Sequence, residues 1–555
     1  MSISKKEASS FLLKASIGAD YETIEYVSKI GKEKWLDEQI NKNAKDSCEN
    51  KVEGIWKHFI KKLSKQWGEE TIIGNKLVLP YWFYFRMAYW DTILKSEDIL
   101  RHRIALALSE ILVISDKSVL ELNSYGLANY YDLLYKNAFG NYEDLLYEVS
   151  VHPCMGVYLS HMNNPKEDIV NNIHPDENFA REVMQLFTIG LYELNLDGSK
   201  KLKNGKPIAT YDNADIKEVA KVFTGLGPGG YWWPWENYSN QEVYWGIKEN
   251  KIPNINLSIP MQAFEEHHDK SKKTILKKHK LKSNQSTLKD VKQTINILVK
   301  EQNTAVFISK KLIQSLVTSN PSKQYIEDIS KIFIDNKKGQ TGDLKAVVKA
   351  ILLHKEANKA QKMKEPMLRC IQILKAFNAS NKSGKLWGTG FMMEENIKQH
   401  PLSAPSVFNF FQNDYSPLGK IEKSKLVAPE FQTLNSASAI SYVNLMYEWF
   451  FGHTYLLVST QASDTTIEAP QLNWDKLRAK DKVSLDLKFL EKLATTNIEK
   501  LIDHLDLVLC ANTLNSRTKE DIIQAIQEYK TRADWVVETA LFMITISPDF
   551  TRISE

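Results

Sequence analysis

Apolar residues recur along this chain at three- and four-residue steps far more often than at alternate positions. In 286–300, Leu288, Val291, Ile295 and Leu298 form one stripe on a helix, and Ser286 stands where a capping hydroxyl belongs. In 98–114 apolar residues surround the helix on nearly every side, the pattern of a helix buried all round. Similar periods run through 22–36, 130–149, 215–223, 304–317, 326–334, 344–353 and 534–546. Strict alternation is sparse. Its best case is 196–210, where Asp197-Gly198 and Asn204-Gly205 are strong turn pairs and predict a small hairpin. The pattern predicts a mainly α fold: a large helical body with irregular loop insertions and at most a small β-hairpin. It is read as one domain over 1–555, with 430–555 as a candidate C-terminal helical subdomain.

Loops of functional size fall at 225–253, 380–425 and 460–472. The Lys-rich run 270–282 reads as a solvated loop, or as a lid facing an anion. No repeat appears at a period of 20–50 residues, the range of solenoids and propellers.

Composition changes this picture little. The 555 residues are 43% hydrophobic and 25% charged, ordinary for a globular protein. Lys+Arg is 72 against 68 Asp+Glu, a net +4, and no basic stripe or recognition module accompanies it. No nucleic acid is therefore implied. The four cysteines, Cys48, Cys154, Cys370 and Cys510, are far apart and form no CxxC pair, which predicts free thiols. No membrane span is expected: the nearest candidate, 436–460, carries Asn444, Glu448 and His453. Lys5 and Lys6 are followed by Glu7, Ser9 and Ser10 rather than an apolar stretch, so the chain as it stands reads as cytoplasmic.

Two segments gather ionisable residues. In 174–190, Pro175 suits a helix start and Asp176 or Glu177 its first turn. Phe179, Val183, Leu186 and Phe187 form an apolar stripe. Asn178, Arg181, Glu182 and Gln185 form a polar ladder, with members four apart as surface neighbours. That ladder reads either as a network fixing helix packing or as an active-site wall. The second segment is His267-His268-Asp269, with Glu265 nearby. Neutral imidazole and carboxylate suit a divalent metal such as zinc, manganese or iron. The same residues suit acid–base work, with Asp269 orienting a histidine. Combined, they predict a metal set of His174, Glu177, Glu182 and His268, with Glu182, Arg181, His267 and Asp269 in catalytic roles. Glu177 and Glu182 are about 140° apart around a helix, so both reach one ion only if its first turn is irregular. Glu182 is therefore the weightier of the two.

Arg103 and Glu110 lie seven apart, on one side of the 98–114 helix. They read as a buried ion pair with another helix, or with Glu110 or His102 lining a cavity. His152 reads as structural. The loop 227–245 is dense in aromatics, and Trp232, Trp233 and Trp235 suit stacking against a glycan or a partner protein. The bland reading is a loop pinned to the helical body. No GxSxG elbow, P-loop or HExxH occurs, which disfavours common acyl hydrolases, nucleotide-dependent enzymes and zincins.

An ordered set of segments carries a family resemblance. It runs through Phe11 to Gly18, Trp35 to Gln39, Leu100 to Ser115, Tyr130 to Leu134, Ala138 to Asn141 and His152 to Gly156. Its best-marked piece is Glu177 to Gly190, followed by Tyr192 to Gly198, Ala220 to Gly225 and His267 to Lys270. Phe307 to Leu312, Glu365 to Arg369, Pro405 to Phe411 and Ala428 to Phe431 complete it. In this order the chain resembles the bacterial "domain of unknown function 1800" family. The resemblance implies export in many members and a sulfatase-like partner protein. Gln185 departs from the family's usual Glu, which removes a carboxylate from that position. The leading functional reading is a metal-assisted or acid–base enzyme, sited between 177–185 and 267–269. The alternative is a non-catalytic glycan- or protein-binding protein that uses 231–245.

Overall fold

The computed structural model describes residues 1–67, 82–121, 123–232, 245, 254–359, 362–387, 396–451, 483–529 and 531–553; of these, the side chains of 59–67, 82, 83, 231, 232 and 254 are not described. The helices used below are α1 (Lys5–Ala15), α2 (Cys48–Trp67), α3 (Trp82–Lys95), α4 (Ile99–Ser109), α5 (Ser124–Lys136), α6 (Asn178–Gln185), α7 (Asn213–Val222), α8 (Thr287–Lys300), α9 (Gln302–Leu316), α10 (Pro366–Ala376), α11 (Ser436–Phe450) and α12 (Ala533–Ile546).

The fold is mainly α, as the period of three to four predicts. Helix α4 is its axle: all eleven of its residues are buried, including Arg101, His102 and Arg103. It packs against α1, α5 and α9, and α3 lies between α2, α5 and α10. One contiguous apolar cluster runs from Ala8 to Ile553. Helix α8 buries Val291, Thr294, Ile295 and Leu298, whereas Leu288 stays 37% exposed. Ser286 precedes α8 but makes no side-chain cap. The first helical N–H, that of Thr287, donates instead to Glu265 at 2.9 Å. A carboxylate brought from another loop thus does the capping that the local sequence assigned to a hydroxyl.

The hairpin expected in 196–210 is present. Leu202–Lys203 pairs antiparallel with Lys206–Pro207 around Asn204 and Gly205. Their φ angles of 52° and 76° are the positive pair that a type I′ turn requires. The described residues hold four more two-stranded antiparallel ladders, beyond the single hairpin the sequence suggested. In one of them Lys362–Met363 pairs with Arg552–Ile553, tying the end of the described chain to its middle. Such short, non-local pairs leave no alternation to read. The four cysteines are free and buried. Among the described residues no helix is long and apolar enough to cross a membrane.

Burial also places cations inside. Lys364 is 3% exposed, and its Nζ donates to Gln372 Oε1 at 2.7 Å over the Phe550 ring, with no carboxylate in salt-bridge range among the described residues. Burial lowers its ammonium from 10.5 to about 7, with Arg369 pushing the same way and Cys510 opposing. Between pH 7 and 10.5 the unfolded chain therefore binds one more proton than the folded one. From this group, unfolding free energy should rise with pH across that window, by at most about 1.4 kcal/mol per unit. Urea titrations of the wild type and Lys364→Met at pH 7, 8 and 9 check this. The variant should lose the rise whatever its absolute stability, and equal slopes would reject a lowered Lys364.

Candidate functional site

Helix α6 is short because the chain turns away after Gln185: Thr188 donates its hydroxyl to Val183 O at 2.6 Å, and Gly190 takes a φ of 70°. Asp176, not a helical residue, receives the Asn178 N–H at 2.8 Å. The helix buries Phe179, Ala180, Val183 and Met184, and with them Glu182, which is only 9% exposed. Glu182 Oε2 is closed to solvent and has no hydrogen-bond partner. Burial pushes its carboxyl above the ordinary range, opposed by Arg181 and Lys311. Lys311 on α9 is lowered by burial to about 8, with Glu182 opposing, and its Nζ donates to Leu186 O at 3.2 Å. Tyr211 caps the far end of the ladder, its hydroxyl 3.1 Å from Gln185 Oε1.

The other residues singled out for this site are engaged with other partners. His174 is exposed, its side chain at 63%, and faces Glu167 at 3.2 Å. Glu177 pairs with Arg181 at 3.5 Å along the helix edge. His267 stacks flat on Trp245, ring centroids 4.1 Å apart. Asp269 receives the Ser271 N–H at 2.8 Å. His268 is buried with both ring nitrogens engaged, Nδ1 2.8 Å from Thr224 O and Nε2 3.2 Å from Asp290 Oδ2. Asp290, on α8, also takes Lys273 Nζ at 2.7 Å and Gln285 Nε2 at 2.6 Å. The backbone at Gly225 lies so close that a Cβ there would meet His268 at about 3.0 Å, and its φ is 81°. Glu182 and His268 thus share no partner, and the four residues proposed as metal ligands do not converge. Among the described residues no group of three or more His, Cys, Asp or Glu side chains is placed to hold a metal ion. Trp233 and Trp235 lie outside the described residues; of Trp232 only the backbone is described, in a two-residue strand paired with Asn254–Ile255.

A second constellation is assembled from segments far apart in the chain. Glu110 ends α4 as its C-cap, and Glu365 precedes α10 as its N-cap, just before Pro366. Their carboxyls are hydrogen-bonded to one another. Gln399 donates to Glu365 Oε2 at 2.8 Å, and Ser315 reaches Glu110 Oε2 at 3.4 Å. Lys362 pairs with Glu430 at 2.9 Å and also donates to the carbonyls of Gln314 and Ser315. Arg103 donates Nη2 to Ser315 O, and its Nε and Nη1 are buried without partners.

Arg103 and Lys362 face three carboxyls here, with Lys311 also on the cleft wall, and Glu110 and Glu365 differ in which keeps its proton. The helix ends decide which. Partial negative charge at the end of α4 disfavours an anion at Glu110, and partial positive charge at the start of α10 favours one at Glu365. Burial, then the Glu365 charge, pushes Glu110 well above the carboxylate range. Burial acts upward on Glu365 too, but the Glu110 hydrogen bond, Lys362 and Arg103 outweigh it and hold it low. Glu110 as a residue is half-buried, yet its Oε1 is closed to solvent, as is Glu365 Oε1.

Clefts open on both sides of the pair. One of about 320 Å³, mouth included, is lined by Glu110, Lys311, Gln314, Phe411, Asn413 and Glu430. Another of about 500 Å³ is lined by Arg103, Lys362, Lys364, Glu365 and Gln372. Lys311 links the first cleft to Glu182, the one residue of the sequence-predicted site that reaches this neighbourhood. Sequence reasoning noticed Arg103 and Glu110 but missed Glu365, Lys362 and Glu430. The available signal was Glu365-Pro366, a carboxylate in front of a helix-opening proline.

No curated protein and no solved structure matches this chain significantly. The segments Leu100 to Ser115, Phe307 to Leu312, Glu365 to Arg369, Pro405 to Phe411 and Ala428 to Phe431, which carry the resemblance, all contribute to the walls around the pair. The match to the family described as "Protein of unknown function (DUF1800)" extends over residues 10–552, and the chain belongs to that family.

Proposed function

We propose that the protein is an acid–base enzyme whose proton donor and acceptor are Glu110 and Glu365. The observation that carries this is the hydrogen-bonded carboxyl pair set between a helix C-terminus and a helix N-terminus, one member protonated and one ionised. Two carboxyls pushed apart in this way can give and take a proton in one step near neutral pH. Arg103 and Lys362 hold the ionised member. Lys311, on the wall of the smaller cleft, presents charge to a small polar substrate, while Glu430 behind it anchors Lys362. Glu182 sits behind Lys311 as a positioning residue, which keeps part of the wall read from the sequence. The acid–base branch of that reading is therefore retained, with its centre moved to α4 and α10.

A small epoxide tests proton-coupled reactivity without knowledge of the substrate. The Glu365 carboxylate attacks a ring carbon, the carbon–oxygen bond breaks, and the alkoxide takes the Glu110 proton. Peptide mapping should find one ester, on Glu365. Labelling should slow by about 10²-fold in Glu110→Gln, the scale of general-acid assistance. Esters scattered over surface carboxylates, or a rate indifferent to Glu110→Gln, would sink the proposal.

A further inference from the structure

The larger cleft, about 500 Å³ with its mouth, has a wall of two kinds. Most of it is apolar, including Leu12, Leu13, Ile17, Ile24, Val508 and Ile553. Its charged residues, Arg103, Lys362, Lys364 and Glu365, are all buried. The lining residues that solvent reaches in part are Leu13, Ala19 and Leu368. The charges therefore lie at the floor, and apolar side chains lead from them to the mouth.

That floor has donors to spare. Glu365, its carboxylate, is engaged with Glu110 and Gln399. Lys362 spends its N–H groups on Glu430 and on the carbonyls of Gln314 and Ser315. Ser9 and Ser16 turn their hydroxyls to the carbonyls of Leu507 and Leu12. Arg103 is 1% exposed and donates Nη2 to Ser315 O, but its Nε and Nη1 find no acceptor among the described residues. A guanidinium N–H cut off from water is costly to leave unmade, so Arg103 calls for an acceptor. Lys364 adds an amine with no carboxylate in salt-bridge range among the described residues. The titratable groups beside it are Arg369, whose Nε donates to the Lys364 carbonyl at 3.1 Å, and the Cys510 thiol.

We propose that this cleft binds a small carboxylate with a short apolar tail, its oxygens on Arg103 beside Lys364 and its tail along Leu12, Ile17 and Val508. An oxyanion is the acceptor that a guanidinium holds most strongly. A mostly apolar wall with a few placed donors is the build of a small-molecule site. An amine would leave the Arg103 N–H groups unmet, and an inorganic anion would leave the apolar wall unmet. Lys364 couples binding to protons. Burial lowers its ammonium to about 7, and an anion at the floor favours the charged form. Above pH 7, binding therefore takes up a proton. The site needs only these donors and this wall, and stands whether or not Glu110 and Glu365 exchange a proton.

Titration calorimetry with acetate, butanoate and hexanoate tests the site. Affinity should rise about fourfold for each methylene, the worth of burying one CH2 group. Hexylamine, with a matching tail and the opposite charge, should bind about tenfold more weakly than hexanoate or worse. Hexanoate titrated at pH 8 in two buffers of different ionisation heat should take up about half a proton or more, and Lys364→Met should lose that uptake. Arg103→Lys should weaken hexanoate by about tenfold or more, the scale of a lost charge-assisted hydrogen bond. Ala19→Phe, at the rim and clear of the floor, should block the cleft and abolish binding at an unchanged urea midpoint. It decides the question if Arg103→Lys does not fold. Equal affinity for hexylamine and hexanoate, or hexanoate binding undisturbed by Ala19→Phe, would overturn the site. Binding with no proton taken up would overturn the part given to Lys364.

Discussion

Lys362→Met is expected to lower the unfolding free energy by about 3–5 kcal/mol, the usual cost of orphaning a buried charge. The side chains of Lys362 and Glu430 are 2% and 1% exposed and meet at 2.9 Å. With the ammonium gone, Glu430 remains as a carboxylate that water cannot reach. The carbonyls of Gln314 and Ser315 lose a donor at the same time. Glu365 loses one of the charges that hold it ionised. The paired variant Lys362→Met/Glu430→Gln should recover a large part of the loss, because the uncompensated anion is then gone. Urea midpoints at constant m measure both. A single variant within about 1 kcal/mol of the wild type would show that the pair is hydrated and weak.

The second large effect is an asymmetry between two chemically identical replacements. Glu365→Gln should destabilise by about 3 kcal/mol or more, since it leaves Lys362 and Arg103 without their ionised neighbour. Glu110→Gln should cost no more than about 1 kcal/mol, because an amide N–H can replace the acid proton that Glu110 donates. The pH dependence carries the same signature. A carboxyl raised in the folded state binds its proton more tightly there than in the unfolded chain. Its contribution is complete below 4.5, the unfolded value, and is lost as pH rises toward the folded value. Glu365, held low, works in the opposite sense: its contribution is present above 4.5 and is lost as pH falls through its lowered folded value. Glu110→Gln should therefore flatten a decline above pH 4.5, and Glu365→Gln should flatten a loss on the acid side. Denaturation curves from pH 3 to pH 8 for the three proteins check both. The reverse asymmetry would place the proton on Glu365 and reject the helix-end argument.

The two residues on which the sequence reading leaned most show where local pattern stops. The sequence pattern makes Glu182 one rung of a polar ladder, yet Ala180, Met184 and Glu182 are all buried, while Arg181 faces partly outward. The helix is enclosed on more sides than its apolar stripe indicates, because α7 packs against it and Lys311 lies beside Glu182. His268 has a carboxylate next to it in sequence, Asp269, but its partner is Asp290 on α8. Adjacent residues on an irregular loop point in different directions, so chain proximity does not choose the hydrogen bond.

What the sequence by itself determined is the helical body, the hairpin at 202–207 and the complete burial of α4. Each rests on interactions within a few residues: a 3.6-residue period, a turn that needs two positive φ angles, an apolar surround. What only the tertiary structure decided is the chemistry. The period that buries α4 carries Glu110 inward, but it contains nothing about Glu365, Lys362 or Glu430. The protonation of Glu110 and Glu365 follows from lost hydration, from mutual charge and from the ends of two different helices, and these exist only once distant segments close around them. The sequence singled out Glu110, and the packing supplied Glu365 beside it and assigned the proton.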